Sequence, residues 1–183
     1  MAKIFATIDD DLARWIAQQK LFFVATAPLS DEGLINCSPK GGDTFRVLGD
    51  TEVAYQDFTG SGVETIAHLR ENGRIVIMFC AFEGAPRILR LHGRGSVVTV
   101  GDERFPELAA KFPPNPGTRA IIHLNVERIA DSCGYAVPVY EFKAPRDILD
   151  QWSADKGEAG VKAYQRANNR RSIDGLPGLD ADV

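Results

Sequence analysis

Alternating hydrophobic and polar positions dominate the middle of this chain and predict β-strands. The stretch "RILRLHGRGSVVTV" places its leucines on one face and its arginines and histidine on the other. Gly93 and Gly95 within this stretch indicate a bend or a bulge. The continuous apolar run "RIVIMFCAF" favours a strand that is buried on both faces. The same kinds of pattern predict further strands in "LFFVATAP", "LINCS", "RAIIHLNVERIAD" and "FRVLGDTEVAYQD", the last being two strands joined at Gly49-Asp50.

Helical periodicity is confined to shorter segments around these strands. "TIDDDLARWIAQQ" predicts a helix capped by Thr7, with three aspartates at its positive end. "SGVETIAHLREN" predicts a second helix that ends at Asn72-Gly73. "DERFPELAAKF" predicts a third, and the long segment "PRDILDQWSADKGEAGVKAYQRANN" predicts a C-terminal helix weakened by Gly157 and Gly160.

The order of the predicted elements favours a mainly β fold. Several strands in succession with few intervening helices are typical of an antiparallel barrel or sandwich and not of a parallel α/β sheet. The segment "YAVPVYEF" is expected to be an edge strand because Pro138 cannot donate to a ladder. We therefore expect a β-barrel domain over residues 1–142, and a helical extension and tail of the same domain over residues 143–183.

Charge and cysteine content narrow the class of protein. The chain has 183 residues and a formal net charge of −4, which argues against general binding to nucleic acid or to anionic membranes. Cys37, Cys80 and Cys133 are far apart, which fits a reducing compartment better than a disulfide framework. The acidic residues near the start do not fit a signal peptide, and the longest apolar run is too short to span a bilayer. The expectation is a cytoplasmic protein without nucleic-acid or membrane partners.

No catalytic or metal-binding motif stands out in the sequence. His68, His92 and His123 lack metal-ligand spacing, and there is no Cys-x-x-Cys, so no metal site is expected. There is also no nucleophile elbow, no P-loop and no dinucleotide-binding fingerprint. If the protein is an enzyme, a cofactor is expected to carry the chemistry, and no catalytic residue is assigned.

Two glycine-marked corners, "SPKGG" and "FTGSG", admit two interpretations. In the first, the amides of Gly60 to Val63 lie at a helix N-terminus and bind a phosphate, with Lys40 as a nearby cation. In the second, the corners are plain turns: Ser61 and Glu64 form a capping box, and Lys40 is a solvated loop residue. Composition and spacing leave both interpretations open, and they favour the second.

The ordered set of segments resembles the pyridoxamine 5′-phosphate oxidase-like, FMN-binding split-barrel family. The segments that carry the resemblance cover roughly residues 8 to 130 and are "LFFVATA", "LINCSPKG", "TEVAYQD", "GSGVETIAHLREN", "RIVIMFCAF" and "RILRLHGRG". The resemblance implies an antiparallel split barrel, a homodimer, and one FMN per subunit bound at the dimer interface. Carried over by position, the cofactor-binding residues would be Ser38, Lys40, Tyr55, Gln56, Asp57, Ser61, Gly62, Val63, Arg87 and Arg90.

The resemblance has departures that bear on activity. The vitamin-processing oxidases carry a basic residue in the turn where this chain has "GSGV", and their C-terminal arginine and histidine pattern is missing here. The C-terminal sequence resembles a bacterial subgroup of flavin-binding proteins. The expected function is FMN binding and flavin-dependent oxidation or reduction of an unidentified small molecule. The alternatives are a deazaflavin-dependent oxidoreductase of the same barrel and a non-catalytic flavin-binding or flavin-sensing protein.

Overall fold

A computed structural model describes residues 3–180 of the chain. It contains eight strands and four helices within those residues. In chain order they are β1 Ile4–Phe5, α1 Asp10–Gln18, β2 Leu21–Thr26, β3 Asn36–Gly41, β4 Phe45–Gly49, β5 Glu52–Phe58, α2 Glu64–Asn72, β6 Arg74–Cys80, β7 Ile88–Val98, α3 Phe105–Ala109, β8 Thr118–Ser132 and α4 Ile148–Asn168.

The strands form one antiparallel sheet in the order β3-β2-β6-β7-β8-β5-β4, and β1 adds to β8. β3 and β4 are the two ends of this order, although only three residues separate them in the sequence. The sheet curls so that side chains of β3 and β5 meet across the opening, where Lys40 contacts Asp57 at 2.7 Å. This opening is the split of the barrel, and it brings the two predicted corners together.

The hydrophobic core fills the inner face of the curled sheet. On β5, Val53 and Tyr55 are fully buried in this core, while the intervening Ala54 packs with Ile121 in a smaller cluster beneath α3. Neighbouring side chains on a strand point to opposite faces, so β5 contributes to both clusters. This double burial fixes the register of β5 and therefore the direction in which Asp57 points.

Most of the predicted helices and strands are present, and the glycines that were expected to end a helix or mark a bulge do so. Gly73 ends α2 in the left-handed conformation, with φ of 69°. The register of β7 against β8 shifts between His92 and Gly93, which confirms the expected bulge. The prediction that Thr7 caps α1 is wrong: Asp9 is the N-cap and accepts a hydrogen bond from the amide of Leu12 at 2.8 Å.

Three further expectations need correction. "SPKG" is not a turn but part of β3, because these residues pair with β2, for example Lys40 with Phe22. β6 is fully buried on one face only, since Val76 and Met78 are half-buried on its outer face. The "YAVPVYEF" segment is not a strand. It makes isolated hydrogen bonds instead of a ladder, for example from the amide of Tyr140 to the carbonyl of Phe82 at 2.9 Å.

The C-terminal region packs back onto the barrel. Helix α4 is interrupted at Gly157, whose φ of 64° and ψ of 171° are not helical. The segment after the helix turns back so that the amide of Leu179 donates to the carbonyl of Asn169 at 2.7 Å, and the Leu179 side chain joins the core. The tail therefore lies beside the N-terminus of α2, next to the second predicted corner.

Candidate functional site

Two cations and one carboxylate form a buried cluster at the split of the barrel. Asp57 is completely buried, and its two oxygens accept from Lys40 Nζ at 2.7 Å and from Arg119 Nε at 2.8 Å. Arg119 is 5% exposed, whereas the Lys40 side chain is 22% exposed and reaches the surface. The cluster carries one net positive charge when all three groups are ionised, and Lys40 presents part of it to solvent.

The charge state of Asp57 follows from these contacts. Burial alone would raise its pKa, but the adjacent Arg119 and Lys40 outweigh burial and lower the pKa to about 2. Asp57 is therefore ionised at neutral pH and has no proton to give. Its role is to hold the two cations in place.

Ser38 belongs to a chain of polar side chains that crosses from β3 to α2. Its hydroxyl donates to Asn36 Oδ1 at 2.9 Å, and Asn36 Nδ2 donates to Thr65 Oγ1 at 3.0 Å and to Thr26 Oγ1 at 3.3 Å. Thr26 in turn contacts the ring nitrogen Nδ1 of His68 at 2.9 Å. Burial lowers the pKa of His68, so its ring is neutral at neutral pH. This row of hydrogen-bonded side chains fixes the rotamer of Ser38, two residues before Lys40 on β3.

Tyr55 and Gln56 point in opposite directions from β5. The Tyr55 ring is buried in the core and lies 5.9 Å from Lys40 Nζ. Burial raises the pKa of this phenol, and the nearby Asp57 raises it further. Gln56 instead donates from Nε2 to Thr118 Oγ1 at 2.7 Å, away from the cluster. Gln56 therefore braces β5 against β8, whereas Tyr55 packs into the core on the side of Lys40.

The loop of residues 59–63 precedes α2 and is the second predicted corner. The expected capping box is absent: Val63 is the N-cap of α2 and has no side-chain cap, and Glu64 Oε1 accepts from the amide of Ile173 at 3.2 Å. Among residues 3–180, the amides of Gly60, Ser61, Gly62 and Val63 donate no hydrogen bond, although the Glu64 carboxylate lies against Gly62. Glu64 does not complete a capping box because its carboxylate instead accepts from the C-terminal tail, which is distant in sequence.

The same loop is tied to the charged cluster. Arg119 Nη1 donates to the carbonyl of Gly62 at 2.7 Å while its Nε binds Asp57. Asn169, at the end of α4, donates to the carbonyl of Gly60 at 2.9 Å. The loop thus lies beside a buried cluster with net positive charge, but Val63 is 1% exposed and the Glu64 carboxylate lies against Gly62. The exposed residue of the loop is Ser61, whose amide is at the N-terminal side of α2, where an anionic group is favoured.

Comparison with known proteins identifies the relatives of this chain. The family Pyridoxamine 5′-phosphate oxidase matches residues 8–133. The chain is 38% identical over 198 aligned residues to the pyridoxamine 5′-phosphate oxidase family protein ustO of Aspergillus flavus, covering 98% of this chain and 78% of that protein. The chain belongs to the pyridoxamine 5′-phosphate oxidase family. The family named from sequence is therefore confirmed.

Two solved structures of other proteins are similar in fold to this chain. HupZ of Group A Streptococcus is 26% identical, with a TM-score of 0.52 over 67% of this chain and 91% of that chain. An FAD-binding protein of Mesorhizobium loti is 9% identical, with a TM-score of 0.50 over 72% of this chain and 95% of that chain. The mainly β, antiparallel split-barrel architecture predicted from sequence is confirmed.

Arg87 and Arg90 lie apart from the other candidate residues of this family member. Arg87 forms an ion pair with Asp131 at 3.1 Å, and Arg90 donates to Ser132 at 3.1 Å. Both partners are near the C-terminal end of β8, whereas Asp57 pairs with β8 near its start. At about 3.4 Å per residue, the two regions are roughly 35 Å apart along the strand. Within one subunit, the two arginines are not brought to the cluster.

The described residues were also compared with the requirements of a metal site, a membrane-spanning helix and an enclosed cavity. In residues 3–180 no group of three or more His, Cys, Asp and Glu side chains is arranged to hold a metal ion. None of the helices in that stretch combines the length and apolarity needed to cross a bilayer. A cavity of about 250 Å³ opens between α1 and β4, but none of the ten candidate residues lines it. The candidate residues therefore do not converge on that cavity.

Sequence reasoning missed two residues of the site, Arg119 and Asn169. Arg119 lies 62 positions after Asp57, at a place where β8 pairs with β5 and the register shifts. The sequence offered one signal, an arginine at the start of the strand "RAIIHLNVERIAD" that has no acidic neighbour. Asn169 sits in the polar run "ANNRR", where nothing distinguishes it from Asn168.

Proposed function

We propose that this protein binds FMN and uses it as a flavin-dependent oxidoreductase on a small molecule. The observation that carries the proposal is the buried cluster of Lys40, Asp57 and Arg119, which carries net positive charge, reaches the surface through Lys40 and is tied to the loop before α2. Backbone amides at a helix N-terminus and one net positive charge are what a phosphate monoester requires. The FAD-binding protein of Mesorhizobium loti supports this proposal, since it is a flavin-binding protein with the same fold.

The proposal assigns parts of a flavin mononucleotide to candidate residues at the split. The loop of Ser61, Gly62 and Val63 would hold the phosphate, and the exposed side of Lys40 would face the phosphate or the ribityl chain. Ser38, on the same strand as Lys40, would lie beside the ring or the ribityl chain. Tyr55 is fully buried in the core and would support the site from behind. When bound, FMN supplies hydride transfer at its ring. The role of the protein would be to orient that ring and to exclude water.

The proposal includes a homodimer in which the second copy completes the site. Arg87 and Arg90 are remote from the loop within one subunit. Six large apolar side chains between residues 135 and 149 are also exposed, namely Tyr135, Val139, Tyr140, Phe142, Ile148 and Leu149. A partner that covers this segment would remove these apolar side chains from water. Light scattering of the purified protein is expected to give a dimer.

Flavin binding is tested by titrating the full-length protein with FMN and with riboflavin. We expect stoichiometric FMN binding with a flavin absorption spectrum, and weaker binding of riboflavin, which lacks the phosphate. Lys40→Ala should weaken FMN binding by about tenfold, because a charge-assisted hydrogen bond contributes about 1.5–3 kcal/mol. Lys20→Ala, an exposed lysine after α1, is the matched control. Folded protein that binds no flavin would refute the proposal.

Catalysis is tested separately with the FMN-loaded protein. Bleaching of the flavin absorption by a nicotinamide donor under anaerobic conditions, followed by reoxidation by a small-molecule acceptor, is the expected result for an oxidoreductase. A flavin that is bound but is not reduced by nicotinamide donors would indicate a binding or sensing protein.

A further inference from the structure

The cavity between α1 and β4 lies outside the candidate flavin site and has an aromatic floor. Phe22 and Phe79 line it and are buried, and the half-buried Phe45 lines it from β4. The ring centroid of Phe45 lies 5.2 Å from that of Phe22 and 5.0 Å from that of Phe79, and both pairs meet edge to face. The three rings support one another, so the floor is formed without a ligand.

Small side chains leave the space above this floor open. Helix α1 lines the cavity with Ala13, Ile16 and Ala17, and Gly42 lines it at the turn after β3. The open volume is about 250 Å³, which is the volume of about eight molecules of liquid water. It therefore has room for a ligand of roughly eight to ten non-hydrogen atoms.

The rim of the cavity carries one uncompensated positive charge. Asp43 and Arg46 line the rim as a closed pair, in which the Asp43 carboxylate accepts from Arg46 Nη1 at 2.5 Å and from Nη2 at 2.9 Å. Lys20 also lines the cavity, is exposed, and forms no salt bridge with a carboxylate in residues 3–180. Its Nζ lies 5.9 Å from the centre of the Phe142 ring. An anionic group at the mouth of the cavity would therefore meet the free ammonium group of Lys20.

We propose that this cavity binds a small aromatic carboxylate, with the ligand ring on the phenylalanine floor and the carboxylate at Lys20. An aromatic ring adds edge-to-face or offset contacts to such a floor, which favours it over an aliphatic chain of the same size. The site is distinct from the candidate flavin site, since none of the ten candidate residues lines it. The two are adjacent, because Phe22 pairs with Lys40 across β2 and β3 and its ring lies 5.6 Å from that of Tyr55.

Binding is measured with benzoate, phenylacetate and phenylpropionate, which share a ring and a carboxylate and differ in reach. Each is titrated into full-length, methyl-labelled protein without added flavin, and the methyl resonances of Ala13, Ile16 and Val47, which line the cavity, are followed by NMR. We expect saturable shifts of these methyl groups with at least one of the three acids. The amide of that acid, which has the same shape without the charge, should bind more weakly. Acetate, which has the charge without the ring, should not compete.

Two pairs of variants locate the ligand. Lys20→Gln should weaken binding of the acid about fivefold and leave binding of the amide unchanged, as expected for an ion pair at an exposed rim. Lys162→Gln, which removes an exposed lysine of α4, is its control. Ala17→Trp fills the cavity from the exposed side of α1 and should abolish binding. Gln18→Trp, at the next exposed position and outside the lining, should not.

Three results would each overturn the inference. The first is the absence of saturable methyl shifts with all three acids. The second is equal affinity for an acid and its amide, or binding that survives Ala17→Trp. The third is a set of methyl shifts that depends on protein concentration alone, since a second copy of the chain would then fill the cavity. No flavin enters these measurements, so the outcome of the flavin titration does not change how they are interpreted.

Discussion

Replacing Asp57 with asparagine removes the one buried negative charge that neutralises the cluster at the split. Asp57 is fully buried and accepts from both Lys40 and Arg119. Lys40 can turn to solvent because its side chain is 22% exposed, but the Arg119 side chain is 5% exposed and would stay buried without a counterion. Removing one partner of a buried ion pair typically costs about 3–5 kcal/mol. That is a large part of the roughly 5–15 kcal/mol that stabilises a typical domain.

The prediction is checked by urea unfolding of wild type, Asp57→Asn and a surface control. Asp43→Asn is the control, because Asp43 also pairs with an arginine, Arg46, but its side chain is 68% exposed. We expect the control to lose less than about 1 kcal/mol and Asp57→Asn to lose about 3–5 kcal/mol, with similar m-values. If Asp57→Asn costs no more than Asp43→Asn, the cluster is not a buried, electrostatically coupled unit, and the reasoning is wrong.

Three further predictions concern pH, packing and assembly. Folding lowers the pKa of Asp57 from 3.8 to about 2, so the ionised carboxylate contributes about 2 kcal/mol of stability above pH 4. This contribution is lost as the pH falls towards 2. Acid unfolding of the wild type should show the loss, and Asp57→Asn should lack it. Gly93→Ala should cost about 1–3 kcal/mol in urea unfolding, because a Cβ there would overlap the backbone of β8, whereas Gly101→Ala, with nothing within 4 Å, should be close to neutral. Val139→Asp, at a side chain that is 80% exposed, should shift the protein from dimer to monomer in light scattering, and Val100→Asp, at 59% exposed, should not.

The sequence by itself determined the elements whose signals are local. The leucines of β7 are buried and its basic residues are not, as alternation requires. Gly73 ends α2 and Gly93 marks the bulge, because each signal depends on the backbone freedom of one residue and its neighbours. The resemblance to a known family also depended on ordered local segments, and it placed Lys40, Tyr55 and Asp57 in the same region.

Local signals failed where a distant segment competed for the same group. Ser61 and Glu64 have the spacing of a capping box, but the tail takes the Glu64 carboxylate through the amide of Ile173. "SPKG" has the composition of a turn, yet pairing with β2 draws it into a strand. In both cases, interactions over more than ten residues overrode a preference of about 1 kcal/mol.

Only the tertiary structure decided the composition of the site. Arg119 meets Asp57 because β5 and β8 pair with a particular register and a shift, and a one-residue slip would turn the arginine to the other face. Asn169 meets Gly60 because the tail folds back and places the end of α4 behind the loop. Spacing along the chain encodes which residues share a face, but long-range pairing decides which faces meet. The sequence therefore located the loop and Lys40, and the fold supplied the two residues that donate to the carbonyl oxygens of the loop.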